Sequence, residues 1–185
     1  MLDETVLNQT EAVLTSLRGV WDEDSVDELD HALQAAACAL TDGADDELVL
    51  ATALHDVAHS ALVTTPAQTG HDIVAREWLT ARFGDRVGWL AGAHVAAKRY
   101  LVATEPGYRD GLSETSVISL QAQGGADVDD ELIAHPWWAD ALLLRRYDDA
   151  AKDPLAPASK RATIDDVLAI AERVLRQQES QEHCR

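Results

Sequence analysis

Histidines and aspartates on predicted helices are the residues of this chain best suited to chemistry. The chain has 185 residues, seven of them histidine. Four histidines and two aspartates are candidates for one shared site: His31, His55, Asp56, His71, His94 and Asp148. The His55-Asp56 pair falls in an almost wholly apolar segment, where a buried carboxylate is costly unless a metal ion or another cation pairs with it. These residue types therefore indicate a metal site in a helical core.

Each of these side chains also has an ordinary alternative. A single histidine is more often structural than a ligand, and one His-Asp dipeptide is weak evidence because His71-Asp72 is a second one. His71 could lie in solvent at a helix start, with Asp72 helping to cap that helix. Asp149 could face inward in place of Asp148. The order of the residues along successive helices is stronger evidence than any one of them.

The elements that must position these residues are all predicted to be helices. Apolar residues recur with the helical period, and no segment alternates convincingly as a strand does. Asp24 or Ser25 can cap the second helix, and Thr163 with Asp166 can cap the last. We therefore expect an all-α bundle of seven to eight helices, with approximate bounds 2–17, 25–41, 45–56, 71–84, 85–101, 113–123, 136–152 and 163–176.

Length and composition indicate one soluble domain. We assign residues 1–176 to it, with 163–176 as a packing helix and 177–185 as a polar tail. The net charge of -18 argues against nucleic acid or an anionic membrane as a partner of the general surface. We expect a cytoplasmic protein, since the sequence shows no signal peptide, no apolar run of transmembrane length and no paired cysteines. The sequence does not predict the oligomeric state.

The order His31, then His55-Asp56, then a distant Asp148 resembles the HD-domain superfamily of all-α, metal-dependent phosphohydrolases and oxygenases. His71 and His94, which lie between these positions, resemble the two-metal branch of that superfamily. The resemblance implies a helical bundle with the metal site at its centre, in which Asp56 bridges two ions. The remaining ligands would divide into two sets: His31, His55 and Asp148 for one ion, and His71 and His94 for the other.

Longer segments resemble one group within that branch, the phosphonate-degrading HD-domain oxygenases, of which myo-inositol oxygenase is a more distant relative. These segments lie at 94–101, 112–120, 123–125 and 144–152, and the resemblance spans residues 20–152. It implies two iron ions in a mixed-valent Fe(II)/Fe(III) state, with O2 as co-substrate. It also implies oxidation of a small hydroxylated substrate, with cleavage of the C–P bond of a 1-hydroxyphosphonate and release of phosphate.

The same resemblance assigns roles to residues beside the metals. Lys98, Ser116 and Arg145 would bind the anionic head group of the substrate, as a point charge, a hydroxyl donor and a planar fork. Lys98 lies one helical turn after His94 and can reach the same cavity. His59, one turn after His55, would contact the substrate or support the metal ligands. His59 and Lys98 are the residues expected to take part in catalysis.

The chain departs from the related oxygenases ahead of its first histidine helix. A Tyr-x-x-Glu segment covers the second iron there, and counting back from His31 places Trp21 and Asp24 at those positions. Tryptophan cannot ligate iron as a phenolate does. An indole face with a nearby carboxylate can bind an ammonium group, so we expect Trp21 and Asp24 to contact an amine-bearing, zwitterionic substrate.

Two other functions use the same residues. A metal-dependent phosphohydrolase could use these ligands to generate hydroxide and attack a nucleotide or phosphate ester. An HD domain without activity could act as a binding module. The additional histidine pair, together with Lys98 and Gly124-Gly125, favours the oxygenase over the hydrolase, and the complete ligand set disfavours the binding module.

Overall fold

All regular structure in the described part of the chain is helical, which confirms the all-α prediction. The computed structural model describes residues 2–22, 25–64, 66 and 68–182. Short 3-10 turns at Val57–His59, Tyr108–Gly111 and Ala158–Lys160 join some of the helices. Within the described residues there are eight α-helices: α1 (Leu2–Ser16), α2 (Glu28–Thr41), α3 (Asp46–Leu54), α4 (His71–Thr104), α5 (Glu114–Ala122), α6 (Asp130–Ile133), α7 (Trp138–Ala150) and α8 (Ile164–Glu182).

Helix α3 lies at the centre of the bundle. Every residue from Leu48 to Leu54 is buried, as expected for a helix that is apolar on all sides. It packs against α2, α4, α7 and α8. The side chain of Asp45 caps its start by accepting from the backbone N–H of Leu48 at 3.0 Å. Residues carried at the end of α3 are therefore surrounded by other helices.

Two helix ends differ from the sequence-based expectation. Asp27 caps α2, in place of Asp24 or Ser25, and its carboxylate also accepts from the Gly19 N–H at 2.9 Å. Helix α3 ends at Leu54, so Asp56 lies beyond the helix that was expected to carry it. The His55 ring donates to the Thr52 carbonyl at 2.8 Å, an acceptor that a longer helix would offer to the Asp56 N–H.

Helix α4 reverses direction at Gly84, which confirms the expected break between 84 and 85. Gly84 has φ of 82° and ψ of 176°, a conformation that side chains disfavour. A straight helix would place His71 and His94 about 35 Å apart, yet their Nε2 atoms are 3.0 Å apart. The arms 71–83 and 85–104 therefore run antiparallel as a helical hairpin.

Gly88 allows the two arms of α4 to approach closely. A Cβ atom there would lie 2.0 Å from Thr80 Oγ1 and 2.7 Å from the Arg76 carbonyl oxygen. We expect Gly88→Ala to lower the free energy of unfolding by about 2 kcal/mol, because the backbone must shift to relieve the overlap. Urea denaturation of the metal-free protein measures it. Gly111→Ala is the control, since a Cβ there meets nothing within 4 Å; equal losses in both variants would contradict the close approach.

Helix α8 extends further than expected. It begins after Thr163, whose Oγ1 accepts from the Asp166 N–H at 3.1 Å while Asp166 accepts from the Thr163 N–H at 2.8 Å. It continues to Glu182, so residues 177–182, which were assigned to a polar tail, are helical. The Gln178 side chain donates to the Phe83 carbonyl and ties this extension to α4. Residues 183–185 lie outside the described ranges.

None of the helices in the described ranges combines the length and the apolar character needed to span a bilayer.

Candidate metal centre

Asp56 lies at the centre of the site, and its two carboxylate oxygens face different histidines. Oδ2 is 3.0 Å from His55 Nε2 and 3.9 Å from His31 Nε2. Oδ1 is 3.7 Å from His71 Nε2 and 3.8 Å from His94 Nε2. Two groups of potential ligand atoms therefore share this one carboxylate. The arrangement matches the bridging role that the resemblance implied for Asp56.

Backbone carbonyls orient three of the rings. His31 Nδ1 lies 3.0 Å from the Ala151 carbonyl oxygen, and the corresponding distance from His94 to Ala91 is 2.6 Å. His55 makes the equivalent contact with Thr52 described above. A carbonyl only accepts, so each Nδ1 carries a proton, and Nε2 is the ring atom that faces Asp56 and is left to ligate a metal ion. Such contacts fix the tautomer that metal-ligating histidines need.

Several buried atoms of the site lack the partners that buried polar atoms ordinarily have. Among the described residues, Asp56 Oδ1 has no hydrogen-bond partner, and His55 Nε2, although 3.0 Å from Asp56 Oδ2, lacks the geometry of a hydrogen bond. The Nε2 atoms of His71 and His94 lie 3.0 Å apart and point at each other. Nitrogen and oxygen donors that converge in this way fit a cation between them, and imidazole with carboxylate suits iron. The donor set therefore fits the metal pair that the resemblance implied.

The negative charge of Asp56 and the burial of the histidine rings determine the pKa values of the site. Burial alone would lower the pKa of His55, but the adjacent Asp56 and then Asp148 raise it to about 9. Burial lowers the pKa of His94 to about 3, and the neighbouring His55 and His71 contribute to this. Although burial opposes it, contact with His55 holds the pKa of Asp56 well below its usual range. Asp56 is thus an anion, and His94 is a neutral base.

Asp148, rather than Asp149, faces the histidines. Its Oδ1 is 3.3 Å from His31 Nε2, and its Oδ2 is 3.7 Å from His55 Nε2. Burial alone would raise its pKa, but Arg145 and then His31 hold that pKa well below the usual range. Asp149 instead bonds to Arg145 and to the Tyr108 hydroxyl. The sequence left open whether Asp148 or Asp149 faces inward, and in this structure Asp148 lies on the inner face of α7.

Cationic and hydroxyl side chains line the cavity beside the histidines. Lys98 Nζ donates to Ser119 Oγ at 2.8 Å, and Lys152 Nζ donates to Ser116 Oγ at 2.9 Å. Burial, and then the charge of Arg145, lowers the pKa of Lys98 to about 8. Lys152 and Ser119 were not among the expected site residues. The spacing of Lys152, four residues after Asp148, was the available signal for it.

Arg145 lies on the same cavity but is already engaged. Its Nη1 donates to Asp148 Oδ2 at 2.5 Å, and its Nε donates to the Tyr108 hydroxyl at 3.0 Å. Its Nη2 pairs with Asp149. Because its fork is held by protein acceptors, Arg145 acts on the cavity through its charge, and the lysines offer the more adaptable donors.

The remaining predicted site residues differ in whether they line the cavity. His59 lines the cavity, with Nε2 3.9 Å from Asp56 Oδ1. Trp21 is 63% exposed and is not among the lining residues, so its expected contact with substrate finds no support in this structure. Its neighbour Asp22 lines the cavity instead. Asp24 lies outside the described residues.

Glu28 is a residue of the cavity that was not predicted from the sequence. It lies three residues before His31 on α2, and its side chain is 2% exposed and lines the cavity. Burial and the nearby charge of Asp56 raise its pKa to about 7. The signal was its position on the same helical face as His31.

The fold is consistent with a helical bundle of the HD type, and its donor set fits a metal site. No protein-family model matches the chain. The chain is 38% identical over 140 residues to a hydroxymethylphosphonate dioxygenase of Gimesia maris, an alignment that covers 70% of each protein. It is 33% identical over 133 residues to the 1-hydroxy-2-(trimethylamino)ethylphosphonate dioxygenase (glycine-betaine-forming) of Leisingera caerulea, covering 66% of this chain and 67% of the relative. The chain therefore belongs to the phosphonate-degrading HD-domain oxygenase family, and it is an oxidoreductase.

Proposed function

We propose that this protein is a di-iron dioxygenase that cleaves the C–P bond of a 1-hydroxyphosphonate and releases phosphate. The observation that carries the proposal is the carboxylate of Asp56, whose two oxygens face separate histidine groups. Two lysines, Lys98 and Lys152, line the same cavity. His31, His55 and Asp148 would hold one ion, and His71 and His94 the other. When bound, the iron pair would supply the activation of O2 and the exchange of electrons with the substrate.

The protein's own residues would bind and orient the substrate. The phosphonate group is a dianion or monoanion near neutral pH, and Lys98 and Lys152, which both line the cavity, offer it ammonium donors. Ser116 and Ser119 hold these lysines and offer hydroxyl groups of their own. His59 lines the same cavity, with Nε2 3.9 Å from Asp56 Oδ1, and can exchange a proton with the substrate hydroxyl. The charge of Arg145 adds to the attraction for the anion.

A protonated or methylated amine on the substrate is part of the proposal. The relative from Leisingera caerulea is named for a trimethylamino substrate. In this chain Asp22 lines the rim of the cavity and offers a carboxylate for a cationic group. The substrate would then be zwitterionic, with its anionic end on the lysines.

The test is aerobic turnover of hydroxymethylphosphonate by iron-loaded protein. The reaction balances as hydroxymethylphosphonate plus O2 giving formate, phosphate and one proton. The C–P bond, one C–H bond and the O–O bond break, new C–O and P–O bonds form, and O2 accepts four electrons. We expect one O2 consumed for each phosphate released. The amine-bearing 1-hydroxyphosphonates are assayed in parallel for their relative kcat/KM. Phosphate release from a phosphate ester, without O2 uptake, would instead support the phosphohydrolase.

The role of Lys98 predicts a pH dependence of phosphonate binding. With its pKa lowered to about 8, Lys98 is charged below that pH and loses its charge above it. We expect the Kd for hydroxymethylphosphonate to rise about tenfold between pH 7 and pH 9, measured by anaerobic calorimetry on metal-loaded protein. Lys98→Arg keeps its charge over this range, so its Kd is expected to change much less. The same pH profile in both proteins would remove Lys98 from the head-group site.

A further inference from the structure

Glu28 is the one strongly buried carboxylate of the described cavity that the proposed function leaves without a role. Its side chain is 2% exposed, and its Oε2 has no hydrogen-bond partner among the described residues. Buried carboxylates are ordinarily paired with a cation or with hydrogen-bond donors. Glu28 therefore indicates a cationic partner that the protein's own side chains do not supply.

The position of Glu28 shows where such a partner would lie. Ligand atoms of Glu28, Asp56 and His59 lie within 4.8 Å of one another and form a third group around the same carboxylate. His59 is on the Oδ1 side of Asp56, where His71 and His94 also lie. The ring centroids of His59 and His71 are 5.4 Å apart. Glu28 thus adjoins the second metal position.

The described cations nearby do not pair with Glu28. Arg145 is held by Asp148, Asp149 and the Tyr108 hydroxyl. Lys98 bonds to Ser119, and no ion pair of Glu28 is found within the described residues. Glu28 also faces the negative charge of Asp56, which adds to the cost of keeping both ionised unless a cation lies between them.

We propose that Glu28 supplies a further carboxylate oxygen to the metal ion at the second position, next to His59. This inference rests on the proposed function, because it requires two ions. The added anionic donor raises the affinity for that ion and completes a ligand group that would otherwise be formed by neutral imidazoles and one oxygen of Asp56. It also places a protein carboxylate beside the positions at which substrate would reach the metal.

Titration of metal-free protein with Co²⁺ tests the assignment without any turnover. Calorimetry gives the number of ions and each Kd, and the visible spectrum reports the ligands. For Glu28→Gln we expect two ions per chain, one of them bound roughly tenfold or more weakly, with an altered spectrum. Glu28→Asp keeps the charge but is shorter by one methylene, so we expect it to weaken that ion as well. Glu11→Gln, at an exposed position of α1, is the matched control and should behave as wild type.

Thermal melting separates a metal ligand from a merely structural residue. Glu28→Gln removes an unpaired buried charge, so we expect a higher Tm than wild type without metal and a smaller gain in Tm when Co²⁺ is added. Wild-type affinity and spectrum in Glu28→Gln would overturn the assignment, as would a lower Tm without metal. Binding of a single Co²⁺ by the wild-type protein would overturn the proposed two-ion function itself, which is a distinguishable result.

Discussion

Asp56→Asn is expected to abolish dioxygenase activity and to weaken the binding of both metal ions together. Asp56 is the residue whose two oxygens face separate histidine groups, His31 with His55 and His71 with His94. An amide has one oxygen and no negative charge, so it cannot serve both groups. We expect each Kd to rise more than about 100-fold, beyond the 10- to 100-fold typical of residues that only support a ligand.

The chain contains its own control for this experiment. Asp72 follows His71 in the second His-Asp dipeptide, but it lies in the first turn of α4 and is not part of a described metal-ligand group. We expect Asp72→Asn to bind two ions and to retain most of its activity. Metal content by mass spectrometry and O2 uptake measure both variants. Two tightly bound ions in Asp56→Asn would refute the bridging role.

Arg145→Met is expected to cause the largest loss of stability among single substitutions at this site. The guanidinium is buried between Asp148 and Asp149, and both carboxylates bond to it. Removing one partner from a buried ion pair leaves an uncompensated charge, which costs about 3–5 kcal/mol. Urea denaturation of the metal-free protein measures the loss. A bound metal ion would compensate Asp148 in part, so we expect a smaller loss in metal-loaded protein.

The neighbouring arginine is the natural comparison. Arg146 pairs with Glu105 across the surface, where the two side chains are 42% and 45% exposed. Exposed ion pairs are worth about 0–1 kcal/mol, so Arg146→Met should change stability little. If Arg145→Met were equally mild, the buried pair with Asp148 would not be a main determinant of stability.

The resemblance supplied the candidate site residues, and helix geometry accounts for which of them lie side by side. His94 and Lys98 lie four residues apart on one arm of α4, and Arg145 and Asp148 lie three apart on α7, so each pair shares a face. Gly84 predicted the break in α4 because a glycine between two helical patterns marks a boundary. These features depend on neighbours along the chain, which a single sequence displays.

The parts that the sequence did not predict depend on contacts between distant segments. Glu28 resembles an ordinary acidic residue in the first turn of a helix, and its burial follows only from the way α2 packs against Asp56 and His59. Trp21 was placed by counting back from His31, but its side chain is 63% exposed. The end of α3 was expected too late, because the His55 ring competes for a carbonyl that the helix would have used. Local periodicity carries no information on such contacts.

The reversal of α4 also bears on the order in which the centre assembles during folding. The rings of His71 and His94 meet across 23 residues, whereas the ring of His31 meets the Ala151 carbonyl across 120. Closing the longer loop costs about 1.5 kcal/mol more in chain entropy. The α4 hairpin can therefore bring its two histidines together as a local event, while α2 and α7 join only when the whole bundle closes. The pair His71 and His94 therefore depends on contacts that are short in sequence. The position of His31 depends on long-range contacts that form only when the fold is complete.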